Sequence, residues 1–142
     1  MARTNFERLR VYQLSEKLAD QVWEIVLGWN FFARITVGKQ LVTAADSVGA
    51  NLSEGAGRGR FLDNKRFVRI ARGSLNETQH WLRRAYKRSL LTKRQVDSLK
   101  PLIEELGPTL NAYLKSIGDP PGKSSRIKAQ PNDQNEPLTT DH

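Results

Sequence analysis

The sequence predicts an all-α protein, an antiparallel up-down four-helix bundle followed by a disordered C-terminal tail. Apolar residues recur at three- and four-residue steps in four separate segments, and the alternation typical of strands is absent. Short connections separate the segments, which favours helices that alternate in direction. A chain of 142 residues is long enough for one ordinary domain. We therefore assign the bundle to residues 1–117 and the tail to residues 118–142.

The first helix is expected from about Phe6 to Leu27, with Asn5 as its N-cap. Gly28 and Asn30 mark a break after it. The aromatic stretch at residues 29–32 (Trp-Asn-Phe-Phe) is expected to plug the end of the bundle.

The second helix is expected from about Ile35 to Ala56, where three closely spaced glycines favour termination. The third is expected to start near Asp63, as N-cap, and to end near Ser89. Their apolar stripes comprise Val37, Leu41, Ala45, Val48 and Leu52 in the second helix, and Phe67, Ile70, Ala71, Ser74, Thr78, Leu82 and Ala85 in the third. The third stripe is rich in small residues, including Gly73, so we expect it to pack tightly against the second helix.

The fourth helix is expected to open with a capping box formed by Thr92 and Gln95. Pro101 and Pro108 lie inside its apolar pattern, and each proline removes a backbone donor, so a kink or interruption is expected. From Gly118 onward the chain is polar and rich in Pro, Ser, Asn and Gln. Few of these side chains can bury apolar area, which predicts a disordered tail.

Positive charge is the strongest feature of the composition. The net charge is +8 and the isoelectric point is near 10.1. Residues 118–142 hold three basic and four acidic side chains, so residues 1–117 carry +9. A domain this basic is expected to attract polyanions, RNA or DNA first.

The basic residues follow one face of the third helix, because Lys65, Arg69, Arg72, Arg83 and Lys87 recur at helical spacing. A solvated face opposite the core is the alternative interpretation, but such a face usually mixes signs. Between Arg58 and Arg94 the sequence has twelve basic residues against two acidic ones. We therefore predict a nucleic-acid-binding surface. Its residues are Arg58, Arg60, Lys65, Arg66, Arg69, Arg72, Arg83, Arg84, Lys87 and Arg88.

A polar row lies beside the apolar stripe of the second helix, where Gln40, Ala44, Ser47, Asn51 and Glu54 share one face. A buried carboxylate in such a row needs hydrogen-bonding partners, and Arg58 and Ser74 are candidates. Glu77 on the third helix needs a donor of its own. We predict a structural polar network or a subunit interface formed by Asn51, Glu54, Ser74 and Glu77.

Several classes of function find no support in the sequence. The chain has no cysteine, only two histidines and no Gly-Lys-Ser/Thr phosphate loop. No serine has a credible His and Asp partner set. We therefore expect no enzymatic activity, metal or cofactor. No apolar run is long enough to span a membrane, and nothing resembles a signal peptide, so a cytoplasmic location is expected.

Two motifs carry a family resemblance: Asn51-x-x-Glu54-Gly55-x-Gly57-Arg58 and Ala71-x-Gly73-Ser74-x-x-Glu77. Together they resemble those of bacterial four-helix bundle proteins encoded in intervening sequences of large-subunit ribosomal RNA genes. The resemblance covers roughly residues 6–117. It departs at Leu52-Ser53, where Ile-Ala would be expected, and at the prolines of the fourth helix.

The resemblance implies an antiparallel bundle that assembles into a homopentamer. Related proteins accompany the reverse transcriptase of diversity-generating retroelements, where a basic pentamer surface contacts nucleic acid and the enzyme. Two hypotheses follow for this chain. The first is a nucleic-acid-binding bundle, for example within a ribonucleoprotein. The second is a protein-interaction scaffold or accessory subunit of a polymerase-type enzyme, without a direct role in binding nucleic acid.

Overall fold

The computed structural model describes residues 3–118, which form four helices and a short N-terminal turn. We label the helices α1 (Arg10–Leu27), α2 (Phe31–Ala33, Arg34–Gly38 and Lys39–Gly57), α3 (Phe61–Lys87) and α4 (Lys93–Ser116). The predicted all-α four-helix bundle is confirmed. The predicted tail lies outside the described residues, except for Gly118.

The helices are arranged so that α1 packs against α2 and α4, and α2 packs most extensively against α3. Helices α1 and α3 therefore lie diagonally across the bundle. The seam between α3 and α4 is the most open of the four. Leucine and valine side chains fill the centre, and Leu18, Leu41, Leu52, Leu106 and Leu110 are fully buried.

The N-terminus differs from the prediction of one continuous first helix. Phe6–Arg8 form a 3-10 turn, Leu9 is extended, and α1 begins only at Arg10. Asn5 is not a cap, because its own backbone is helical and its side chain makes no capping bond. The cap lies one residue earlier: the Glu7 N–H donates to Thr4 Oγ1 at 3.2 Å, and the Thr4 N–H donates to Glu7 Oε1 at 2.8 Å.

The predicted break after α1 is confirmed at Gly28 and Asn30. Asn30 caps α2, because its Oδ1 accepts a hydrogen bond from the Ala33 N–H at 3.0 Å. The aromatic stretch plugs the bundle only in part. Trp29 is 9% exposed, but Phe31 and Phe32 are 68% and 72% exposed. The first turn of α2 buries Ala33 instead, which leaves both phenylalanine side chains on its outer side.

Helix α2 contains a π-helical segment, Arg34–Gly38, directly after its first turn. A Cβ at Gly38 would lie 2.7 Å from Val26 Cγ1, so α1 and α2 approach closely here. The predicted apolar stripe of α2 is confirmed, since all five of its members are buried. The helix ends at Gly57, and Gly59 takes a positive φ of 75° in the turn to α3, a conformation that suits glycine.

Helix α3 starts at Phe61, two residues before the predicted N-cap. Arg60 occupies the cap position, and Asp63 lies in the first turn, where a carboxylate interacts favourably with the helix dipole. The predicted apolar stripe is partly wrong, because Ile70 is 42% exposed. The buried positions instead step evenly along the helix at Val68, Ala71, Leu75, Thr78, Leu82 and Ala85.

The predicted close packing of α2 and α3 occurs, but not at Gly73. Gly73 is exposed and has open space around it. The close approach is at Gly55, where a Cβ would lie 2.8 Å from Phe67 Cβ and 3.1 Å from the Asn64 carbonyl oxygen. The small residue that permits this contact is therefore on α2.

The capping box of α4 is confirmed. The Gln95 N–H donates to Thr92 Oγ1 at 3.1 Å, and the Thr92 N–H donates to Gln95 Oε1 at 2.9 Å. The predicted interruption at Pro101 and Pro108 is absent, since α4 is helical throughout. Both prolines lie on the exposed face, where water can hydrate the carbonyl groups that lose a donor.

Candidate nucleic-acid interface

The basic stripe of α3 (Lys65, Arg69, Arg72, Arg83 and Lys87) lies along the flank of the helix that borders α4. Arg72 Nη1 donates to Asn111 Oδ1 of α4 at 3.1 Å, and Arg83 and Lys87 line a groove between the two helices. The stripe therefore follows the open seam of the bundle. Asn76 and His80, the two uncharged positions within it, are exposed.

The cations near the end of α3 form one group, which we call the C-terminal basic cluster. Its members are Arg83, Arg84, Lys87 and Arg88. Three are exposed and Arg84 is half-buried. Arg84 and Lys87 lie in the last turn of α3, Arg83 just before it and Arg88 just after it. The helix dipole favours positive charge at this end. This cluster is accessible to a large anionic partner.

The cations around the start of α3 form the N-terminal basic cluster, composed of Arg58, Arg60, Lys65 and Arg66. The guanidinium groups of Arg58 and Arg66 lie over the Phe67 ring, at 4.9 and 4.7 Å from its centroid. Arg58 Nε also pairs with Glu54 Oε2 at 3.1 Å. At 1.5 Å per residue, about 30 Å of helix separates this cluster from the C-terminal one.

The two predicted cations in the middle of α3 are less accessible. Arg69 and Arg72 are half-buried and both interact within the protein. Arg72 contacts α4 through Asn111. The structure therefore divides the ten predicted binding residues into two mainly exposed clusters at the ends of α3 and a half-buried central pair engaged by the fold.

The four residues of the predicted polar network bond mainly within their own helices. Asn51 Nδ2 donates to the Ser47 carbonyl oxygen at 2.8 Å, and Glu54 pairs with Arg58, one of its two expected partners. Glu77 Oε2 accepts from Trp81 Nε1 at 3.2 Å. At Ser74, the carbonyl oxygen accepts from Thr78 Oγ1 at 2.8 Å. These bonds do not join α2 to α3, and a subunit interface at these residues stays a prediction.

Two acidic side chains lie close together at the seam between α1 and α2. Asp46 on α2 faces Asp20 on α1, and partial burial together with this neighbouring carboxylate raises the pKa of Asp46. Helix α1 lies diagonally opposite α3. The protein thus presents a basic face along α3 and a locally acidic one at the seam between α1 and α2.

The groove between α3 and α4 has a volume of about 540 Å³. Aliphatic side chains form its floor, and the rim carries four cations against one carboxylate, Glu104. The sequence did not reveal that Lys100 of α4 joins this rim, because the pairing of α3 with α4 is a tertiary contact. Phe67, the ring beneath Arg58 and Arg66, was likewise assigned only to the core.

Within residues 3–118, no group of three or more His, Asp or Glu side chains is arranged to hold a metal ion. None of the helices in this part of the chain is long and apolar enough to cross a membrane.

Comparison with known proteins identifies a family and a solved structure of similar fold. A family model described as 23S rRNA-intervening sequence protein matches residues 7–112. The chain is similar in fold to a crystal structure from Bacteroides thetaiotaomicron, described as a protein with unknown function from the S23 ribosomal protein family. The sequences are 23% identical, the TM-score is 0.65, and the match covers 74% of this chain and 98% of the other. No curated protein matches.

Proposed function

The chain belongs to the family of 23S rRNA-intervening sequence proteins, and on that premise we propose that it is a non-enzymatic protein that binds nucleic acid through the basic face of α3. The observation that carries the proposal is that the charged side chains of this face are nearly all positive. Over its 27 residues, α3 contains only two acidic side chains, Asp63 and Glu77. Such a face neutralises phosphates and releases their counterions, largely without regard to base sequence.

The C-terminal basic cluster is the part of this face that we expect to matter most. Three of its four side chains are exposed, whereas Arg69 and Arg72 are half-buried and already engaged by the fold. The family description refers to ribosomal RNA, so RNA is the first ligand to test and DNA the second. We place the protein in the cytoplasm, where its complex with RNA would be a ribonucleoprotein.

Fluorescence anisotropy with labelled RNA and DNA tests the proposal. In one variant all four residues of the C-terminal basic cluster are replaced by Gln. In a matched control, four exposed cations outside α3 are replaced by Gln: Arg8, Lys17, Lys39 and Lys115. Both variants lose the same net charge.

We expect the cluster variant to bind at least tenfold more weakly than the control variant, because each lost phosphate contact removes counterion release. Equal affinities for the two variants would mean that only net charge matters, and the assigned surface would be wrong. Failure of the wild-type protein to bind RNA or DNA would reject the function itself.

We further propose that the protein is a homo-oligomer. Five large apolar side chains are exposed around the corner between α1 and α2, and we call this set the apolar corner. Its members are Trp23, Leu27, Phe31, Phe32 and Ile35. Clustered apolar side chains on a surface mark sites of protein association. The homopentamer implied by the family resemblance is one assembly that such a surface could support.

Light scattering tests the assembly. We expect the pair of changes Phe31→Ser and Phe32→Ser to lower the particle mass, while Phe61→Ser with Leu62→Ser, at exposed positions of the opposite end, leaves it unchanged. A wild-type protein that is monomeric would overturn this proposal. Capture of a second protein by the apolar corner would then favour the scaffold function instead.

A further inference from the structure

The groove between α3 and α4 has an apolar floor at an otherwise charged surface. Leu82, Leu91 and Leu99 are buried at its base, and Val96 and Ile103 are half-buried beside them. Its volume of about 540 Å³ lies within the range of sites that hold small organic groups, about 300–1,000 Å³. A surface that only attracts phosphates would not need such a floor.

The charged side chains at the rim of the groove indicate what kind of ligand it would bind. Arg83, Arg84 and Lys87 border it on the α3 side, and Lys100 borders it on the α4 side. Glu104 is the one acidic side chain in the lining. A ligand that is apolar in part and anionic at intervals complements this arrangement, because its charges can meet the rim while its apolar part covers the floor.

Tyr86 adds an aromatic ring to the lining and is 61% exposed. An exposed ring provides a face on which an unpaired base can stack. The same Arg83, Arg84 and Lys87 also belong to the C-terminal basic cluster. The stacking face therefore adjoins cations that we propose bind phosphates.

We infer that this groove binds single-stranded nucleic acid, with one unpaired base stacked on Tyr86 and its flanking phosphates on the rim cations. The inference rests on the proposed function and deepens it by naming the form of nucleic acid. Bases in a duplex are stacked on their neighbours and cannot enter the groove without unpairing, whereas those of a single strand can.

The test compares three labelled ligands by fluorescence anisotropy at one salt concentration. They are a single strand, the same strand annealed to its complement, and a strand of equal length whose sites are abasic. The abasic strand keeps the phosphates and lacks the bases. We expect the wild-type protein to bind the single strand about tenfold more tightly than the abasic strand, as the loss of a base-aromatic contact predicts.

Substitutions at Tyr86 then locate the effect. Tyr86→Ala should abolish the preference for the single strand over the abasic strand, and Tyr86→Phe should retain it because the ring remains. Leu62→Ala, at an exposed apolar residue at the opposite end of α3, is the control and should bind like the wild type. Because both residues are exposed, none of these changes removes core packing.

The outcomes distinguish binding of phosphates by the basic surface from binding of a base in the groove. Equal binding of all three ligands, unchanged by Tyr86→Ala, would leave the phosphate-binding surface in place and reject base binding in the groove. If the wild-type protein bound none of the three ligands, the proposed function would be rejected. An acidic amphipathic peptide that displaces the single strand and depends more strongly on Tyr86 would assign the groove to a protein partner and overturn the inference.

Discussion

Gly55 and Gly73 occupy opposite environments, although both belong to motifs of the two central helices. A Cβ at Gly55 would lie 2.8 Å from Phe67 Cβ and 3.1 Å from a backbone oxygen of Asn64, and neither atom can move without shifting α3. At Gly73 no atom would lie within 4 Å of an added Cβ. One glycine is thus required by packing, and the other is not.

We expect Gly55→Ala to lower the free energy of unfolding by about 1–3 kcal/mol, because overpacking separates α2 from α3. Gly73→Ala should raise it by about 0.5–1 kcal/mol, since alanine is the better helix former at an open position. Urea denaturation measures both. Similar effects of the two substitutions would show that α2 and α3 do not meet at Gly55.

Asp46 provides a prediction about pH. Its pKa is raised, so the folded protein holds the proton more tightly than the unfolded chain does. Ionised Asp46 therefore destabilises the fold above its folded pKa, and the penalty disappears as the pH falls through that value toward the ordinary 3.8.

We expect Asp46→Asn to unfold at a higher temperature than the wild type at about pH 7, and at nearly the same temperature at about pH 3, where the wild-type residue is protonated. Thermal unfolding followed by circular dichroism measures this. An advantage of equal size at both pH values would point to packing or hydrogen bonding and away from repulsion by Asp20.

At the scale of the helices, two of the three predicted N-caps, Asn5 and Thr92, had different outcomes. Thr92 and Gln95 satisfy each other's backbone donors, but Asn5 has a helical backbone and makes no capping bond. We expect Thr92→Ala to cost about 1 kcal/mol of unfolding free energy and Asn5→Ala to cost less than about 0.5 kcal/mol. Urea denaturation would contradict the assigned caps if Asn5→Ala were the more costly change.

The sequence predicted the helices where local signals determine them. Periodicity gave the buried stripe of α2, and Gly28 and Asn30 gave the break before it. In α3, Ile70 was misassigned because an apolar residue beside the true stripe carries the same local signal as one within it. The start of α1 was missed because Thr4 and Asn5 are both residues that can cap a helix. Only the backbone conformation shows that Thr4, with Glu7, forms the capping bonds.

The candidate site was predictable only in part. The helical spacing of Lys65 to Lys87 indicates a shared face, and the structure places these residues on one flank of α3. The engagement of Arg72 by Asn111 and the contribution of Lys100 to the groove depend on how α3 packs beside α4. No pattern within one helix encodes that contact, so the division into accessible and engaged cations required the structure.

At the scale of the whole molecule, charge is unevenly distributed. The basic face follows α3, and the facing carboxylates Asp20 and Asp46 lie between α1 and α2. The electric field of such a distribution can orient an approaching polyanion toward α3.

The most direct test of nucleic-acid binding by α3 is the salt dependence of the binding constant, measured for the wild type and for the Gln variant of the C-terminal basic cluster. Each phosphate contact contributes about 0.7–0.9 to the slope of log K against log salt concentration. We predict that removing four cations makes the slope shallower by about 3. Identical slopes for the two proteins would contradict the account, because phosphates would then be bound elsewhere.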